Sequence, residues 1–278
     1  PDLIQTWMYP ADLIGGLLGH LLNVPVIWGV FSCYTTRQFY SKRSYILLRL
    51  CGVLAPLLPP AVLSCSEFAR HPHIQIGSPH VTLFFIPTGF PTSDLAFKHI
   101  YRRKSPVQDP LKRPLRIGML GRFTIEKSHD LLLDAVGRLN RLPSSIQLFL
   151  AGGTGIDQEN AALVSLLKQH GVLECTTLLG RIPSIAEFFD NLDIFVLVSE
   201  SEGLPTVLGE AMSAGLPCIA SEVGDARLLL NDSRQLISNH PQEIVERVCF
   251  FKNNPKQLEE IGQRNQLRVS KLFSQKTM

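Results

Sequence analysis

Short, continuous apolar runs alternate with stretches of helical spacing through the second half of the chain. The runs at Leu115–Leu120, Ile146–Leu150, Thr176–Leu179, Ile194–Val198 and Cys218–Ala220 predict strands, and Gln235–Ile237 predicts a last one. Helical spacing lies between them, most clearly over Leu131–Leu142 and Asn160–His170, and two closing helices are predicted over Pro241–Lys252 and Pro255–Phe273. Strands that are apolar throughout, rather than alternating, are those of a parallel sheet covered on both faces. Ligands of such sheets sit at the carboxyl ends of the strands.

The first half carries a similar but less regular pattern. Leu3–Gln5 predicts a short strand, Ala11–Leu22 a helix ended by Asn23, and Val24–Val30 a strand. Ala61–Cys65 and Leu83–Ile86 predict two more strands, with a turn over Pro87–Phe90. The run Tyr45–Leu58 is leucine-rich, but Arg49 sits in its middle and Pro56, Pro59 and Pro60 break it. It reads as a core helix or one lying on a membrane, not one spanning it.

Ser199–Gly224 (SESEGLPTVLGEAMSAGLPCIASEVG) organises the second half. Gly203 breaks the strand, Pro205 is placed where a first helical residue would be, and Gly215 with Pro217 stops the helix. The result is strand, turn, helix, strand, with free backbone N–H groups at a helix N-terminus suited to a phosphate. Glu202 in the turn and Glu210 in the second helical turn flank that terminus.

Composition adds limits. A chain of 278 residues, 45% hydrophobic and 18% charged, is globular and long enough for two domains, here expected at 1–110 and 111–278. The six cysteines show neither a CxxC pair nor zinc spacing and read as reduced thiols of a cytoplasmic protein. Residues 1–114 hold 11 Lys/Arg and 5 Asp/Glu, a balance of +6, and six of those cations lie between Lys98 and Arg113. That run serves as a solvated linker or is drawn to an anionic membrane surface or lipid phosphate. Nothing in the chain points to nucleic acid.

Candidate chemistry gathers at predicted strand ends. Gly121-Arg122-Phe123-Thr124-Ile125-Glu126-Lys127-Ser128 follows the first strand of the second half, with Ser128 placed to cap the next helix. Arg122 and Lys127 alone are two loop cations; beside a helix N-terminus and two carboxylates they make a diphosphate site. Gly152-Gly153-Thr154-Gly155 reads as a tight turn near the ligand, because it lacks the spacing of a nicotinamide fingerprint. Gly180-Arg181-Ile182-Pro183 either meets a nucleobase through its backbone or is an ordinary loop.

GRFTIEK before an apolar helix, together with SEGLPTVLGEAMSAGLPCIASEVGD, resembles glycosyltransferase family 4. NAALVSLL at 160–167 and SEFARHPHIQIG at 66–77 are also similar to that family, and QTWMYPADLIGGL at 5–17 resembles a subgroup of polysaccharide-type transferases. The resemblance implies two Rossmann-like parallel-sheet domains (the GT-B fold), the first incomplete here. It implies a retaining transfer of sugar from a nucleotide-diphosphate sugar to a carbohydrate or lipid-linked acceptor, with no cofactor and no metal. It assigns Arg122 and Lys127 to the donor diphosphate, Glu202 to sugar hydroxyls and Glu210 to the ribose diol. The backbone at Gly203, Leu204, Pro205, Thr206 and Val207 would lie along the phosphates, with Gly121, Gly153, Arg181 and Ile182 also lining the donor. Glu202, Arg122 and Lys127 would carry the catalysis.

The chain departs from that pattern in places. Pro10 stands where the subgroup commonly has histidine, Phe31 and Ser32 where it has Arg-His, and Ser128 where glycine is frequent. The family also has strands ahead of the position of Pro1 and a longer final helix. The expectation is a fragment that binds a nucleoside diphosphate but transfers no sugar alone. The rival readings are a catalytically inactive sugar-nucleotide-binding or partner subunit on the same scaffold and, further off, an epimerase or phosphorylase. The enzyme itself is expected in the cytoplasm, with a peripheral place on the inner face of the membrane as an option.

Overall fold

A computed structural model describes residues 1–30, 41–58, 61–69, 83–90, 113–142 and 146–278. Phe31, Ser32, the basic run over 98–112 and the expected boundary at 110/111 lie outside the described residues. The chain divides into two compact units, one of residues 1–88 with 201–204 and 278, the other of residues 89–200 with 205–277.

The first unit runs β1 (Ile4–Trp7), α1 (Tyr9–Leu22), β2 (Val26–Val30), α2 (Lys42–Leu54), β3 (Ala61–Ser64) and β4 (Leu83–Phe85). Its sheet has the order β1-β2-β3-β4, every pair parallel. The leucine-rich run becomes α2, which starts earlier than its apolar residues because the Ser41 hydroxyl accepts the Ser44 N–H as an N-cap. Leu48 and Cys51 of α2 join Val26, Trp28, Val30 and Val62 in the core. Among the described residues no helix is long and apolar enough to cross a membrane. Beneath α1 the Thr6 hydroxyl donates to the buried Asp12 carboxyl at 2.6 Å, and burial pushes that carboxyl up to about 6.

The second unit continues with β5 (Leu115–Leu120), α3 (His129–Leu139), β6 (Ile146–Ala151), α4 (Ala161–Gln169), β7 (Thr176–Gly180) and α5 (Ile185–Asp190). Then come β8 (Ile194–Leu197), α6 (Thr206–Ser213), β9 (Cys218–Ser221), α7 (Ala226–Leu230), β10 (Leu236–Ile237), α8 (Pro241–Asn253) and α9 (Pro255–Leu272). The sheet order is β10-β9-β8-β5-β6-β7, all parallel. All four residues of β8 are buried, which is why that strand is apolar without alternation. The strand–helix alternation of the sequence is thus observed, as two Rossmann-like α/β sets.

One feature of this order places the site. From β5 the chain builds outward through β6 and β7, then returns to the other side of β5 for β8, β9 and β10. The direction of winding therefore reverses between β5 and β8. In a doubly wound sheet that reversal opens a crevice at the carboxyl ends of the two strands, and ligands bind there.

Candidate donor site at the switch point

The loop after β5 is tied to its neighbours through backbone. Gly121 N–H donates to Ala151 O (2.9 Å), Gly152 N–H to Gly180 O (2.8 Å) and Phe123 N–H to Thr154 O (3.1 Å). The ends of β5, β6 and β7 are so close that a Cβ on Gly152 would lie 2.0 Å from Gly121 O. Glycine is required at 152 by approach, so Gly152 does more than turn the chain. The same packing brings Arg181 to 4.0 Å from where a Gly153 Cβ would stand, and the Lys127 stem within 3.6 Å of the equivalent point on Gly121. Gly121, Lys127, Gly153 and Arg181 therefore share one cluster of strand ends. Arg122 is exposed in the same loop, and Ile182 is half-buried next to Arg181.

The electrostatics of this loop favour an anion. The Glu126 carboxyl is held below its ordinary value, first by its own backbone N–H and then by the Thr124 hydroxyl, with Arg122 and Lys127 adding smaller contributions. His129 behind it is buried and pushed down to about 4 by burial and then by Lys127, so the imidazole is neutral at pH 7.

Ser128 occupies the N-cap position of α3, but its side chain makes no capping bond. Its backbone is left-handed, with φ 40°, instead of the extended conformation that aims a capping hydroxyl at the first turn. The hydroxyl donates instead to Glu200 Oε1 at 3.2 Å. The backbone explains the preference for glycine, since a left-handed residue with a Cβ costs about 1–2 kcal/mol. Ser128→Gly is expected to stabilise the second unit by about 1 kcal/mol, raising its melting temperature by roughly 2–4 °C. Differential scanning calorimetry checks this, and an unchanged or lower midpoint would refute it.

The loop after β8 meets this one directly. Glu200 N–H donates to Glu126 O at 2.8 Å, so the two switch-point loops are joined by one backbone bond and one side-chain bond. Glu202 and Gly203 are half-buried and Leu204 is buried. Pro205 is the N-cap of α6, one residue earlier than its expected place as first helical residue, and its carbonyl accepts from Leu208 and Gly209. The N–H groups of Thr206 and Val207, at the first two helical positions, have no acceptor within the helix. Helix α6 is held rigidly: Leu208, Ala211 and Met212 are buried, and a Cβ on Gly209 would fall 2.1 Å from the Phe90 ring. Glu210, one residue on, is half-buried; burial raises its carboxyl above the ordinary value, and no described residue donates a hydrogen bond to it. Among the described residues no three His, Cys, Asp or Glu side chains gather as a metal site.

Sequence reading missed Glu200, whose role is to stitch the two loops. It missed Ser199, Ser221 and Asn239, which close a ring at the end of β8. Asn239 stands before Pro241 in a polar stretch that signals a turn and nothing more.

Comparison with known proteins bears on the family and the fold. A family described as "Glycosyl transferases group 1" matches residues 102–268. The putative glycosyltransferase EpsF of Bacillus subtilis is 37% identical over 108 residues, 39% of this chain and 27% of EpsF. The amylovoran biosynthesis glycosyltransferase AmsK of Erwinia amylovora is 27% identical over 169 residues, 58% of this chain and 39% of AmsK. This chain thus spans well under half the length of these relatives. Among solved structures, Anabaena HepE in complex with UDP and glucose superposes with a TM-score of 0.82 at 19% identity, covering 98% of this chain and 74% of HepE. The sucrose-phosphate synthase of Thermosynechococcus elongatus gives 0.80 at 19% identity, covering 99% and 70%. At such identity these two establish the fold.

Proposed function

Because the chain belongs to the glycosyl transferases group 1 family, we propose that it serves a retaining transfer of sugar from a nucleoside-diphosphate sugar to a carbohydrate or lipid-linked acceptor, in polysaccharide or glycolipid synthesis. The observation that carries this reading is the Glu200–Glu126 bond, which joins the loop of Arg122 and Lys127 to the one leading into α6 and Glu210. A diphosphate between them meets two cations and the first-turn amides of α6. Glu210, desolvated and without a donor among the described residues, suits the two hydroxyls of a ribose. Glu202 is assigned to sugar hydroxyls. As the glycosidic bond to phosphate breaks, Arg122 and Lys127 stabilise the charge that grows on the leaving diphosphate. The acceptor hydroxyl would then attack from the face the diphosphate leaves and pass its proton to the departing phosphate oxygen, without a protein nucleophile. The amylovoran biosynthesis relative AmsK supports the polysaccharide setting, and the HepE complex with UDP and glucose supports the donor class.

Calorimetric titration with UDP, GDP and ADP and their glucose conjugates tests the reading. One base is expected to bind, and added salt should weaken it as the diphosphate contacts are screened. Glu202→Ala should cost the sugar conjugate roughly tenfold, from lost hydrogen bonds, and leave the bare diphosphate within about twofold. Arg122→Ala and Lys127→Ala should each weaken both ligands. Equal losses for both ligands in Glu202→Ala would move that carboxylate away from the sugar, and no binding of any conjugate would overturn the donor reading.

A further inference from the structure

The end of β8 is closed by a ring of three residues from separate strand ends. Buried Ser199 donates its N–H to Ser221 Oγ at 3.0 Å; the Ser221 hydroxyl donates to Asn239 Oδ1; Asn239 Nδ2 returns to Ser199 O at 2.9 Å. Ser221 is the last residue of β9, and Asn239 stands just after β10 with φ 60°. The turn that presents Asn239 is fixed from behind, because the Glu243 carboxylate accepts the Ser238 N–H at 3.0 Å and also its hydroxyl. Immediately beyond Ser199 comes Glu200, tied to the loop after β5, and then Glu202. The backbone is thus pinned at both polar groups of Ser199, three residues before the carboxylate assigned to the sugar.

We propose that Asn239 is a positioning residue of the donor site, setting through Ser199 the course of the loop that presents Glu202. This rests on the donor reading above. The rival account is that asparagine is there only for its tolerance of a left-handed backbone. The two separate on one substitution. Glycine accepts φ 60° more readily than asparagine does, so Asn239→Gly keeps or relaxes the turn while deleting the ring. Helix α6 has its own packing in the core and against Phe90, so groups assigned to the nucleotide should stay in place.

The expected result for Asn239→Gly is a melting temperature close to that of the wild type. UDP-glucose should bind about tenfold more weakly, in keeping with the large cost of small misplacements at a site, while UDP changes by less than about twofold. Ser221→Ala should behave alike, and the double variant should lose little more than either, because both break one ring. Hydrogen exchange reads the clamp without any ligand: the Ser199 amide and the loop to Gly203 should exchange faster in Asn239→Gly. A protected Ser199 amide, or unchanged affinity for UDP-glucose, would overturn the proposal. So would equal losses for UDP and UDP-glucose accompanied by a fall in melting temperature, the mark of a purely structural residue. A wild-type chain that binds neither ligand would overturn the donor reading, and the proposed role with it, even where exchange confirmed the ring.

Discussion

Replacing Glu210 by glutamine is expected to raise the melting temperature of the ligand-free chain and to weaken nucleotide binding in the same variant. Both effects come from one cause. Burial lifts the Glu210 carboxyl above its ordinary value, and no described residue offers it a compensating donor or cation. A carboxyl whose folded value is raised binds its proton more tightly in the folded state than in the unfolded one. Its ionisation therefore subtracts stability as pH rises past the unfolded value of about 4.3, and the full penalty is present above the raised folded value. Glutamine carries no such penalty. The gain of Glu210→Gln should appear at neutral pH and vanish below about pH 4, where the native side chain is neutral in both states.

Ligand reverses the ranking. Two ribose hydroxyls donating to a charged carboxylate form charge-assisted bonds; glutamine keeps one acceptor oxygen but loses the charge and the second acceptor, which costs about 1.5 kcal/mol, roughly tenfold in affinity. The loss should be equal for a nucleoside diphosphate and its sugar conjugate, in contrast to Glu202→Ala. Calorimetry at pH 7, with melting curves from pH 4 to 8, provides the check. A variant that melts lower than the wild type at neutral pH would mean that Glu210 has a partner in the free protein. Unchanged affinity would remove it from the ribose.

The sheet of the second unit was legible because strands such as β8 and β9 are buried on both faces, and burial on both faces writes an unbroken apolar run into the sequence. Errors fall at the ends of elements, where local chemistry outweighs periodicity. Helix α2 begins at Lys42 because Ser41 caps it, not because its apolar residues begin there. Pro205 caps α6 from outside, since its carbonyl, and not its absent N–H, is what the helix uses. Ser128 has the right residue type for a cap and the wrong backbone for it; φ is not written in a single side-chain identity. The parts of the candidate site that follow from strand order were hidden for a different reason. Ser199, Ser221 and Asn239 are 22, 18 and 40 positions apart, and only the pairing of β8 with β9 and β9 with β10 brings them together. No local pattern marks such a ring, whereas the cation and carboxylate motifs are short enough to be seen directly.

The largest loss of stability is expected from Arg113→Ala, at the opposite ends of the two strands that bear the candidate site. Arg113 Nη1 and Nη2 each donate to the Asp193 carboxylate at 2.7 Å, and Asp193 is 2% exposed. Asp193 also accepts the Arg116 N–H at 2.9 Å and donates its own N–H to Arg116 O at 2.8 Å. The pair therefore closes the entrance of β5 onto that of β8, where the sheet changes direction. Removing the guanidinium leaves a buried carboxylate without its counter-charge, which costs about 3–5 kcal/mol for a fully buried pair. The Arg113 side chain keeps a fifth of its surface in water, so about 3 kcal/mol is the better expectation, a fall of roughly 6–12 °C for a unit of this size. Asp193→Asn alone should cost less, because the charge goes while the Arg116 contacts can persist. In the double variant the buried charge is absent, so Arg113→Ala should cost far less there than in the wild type, a coupling that a double-mutant cycle measures. Nucleotide affinity, measured well below the midpoint, should be unchanged in Arg113→Ala, since the pair lies at the amino ends of strands whose carboxyl ends carry the site. Additive losses would show that the pair does not act as a unit, and a matching loss of affinity would show that β5 and β8 transmit its removal along their length.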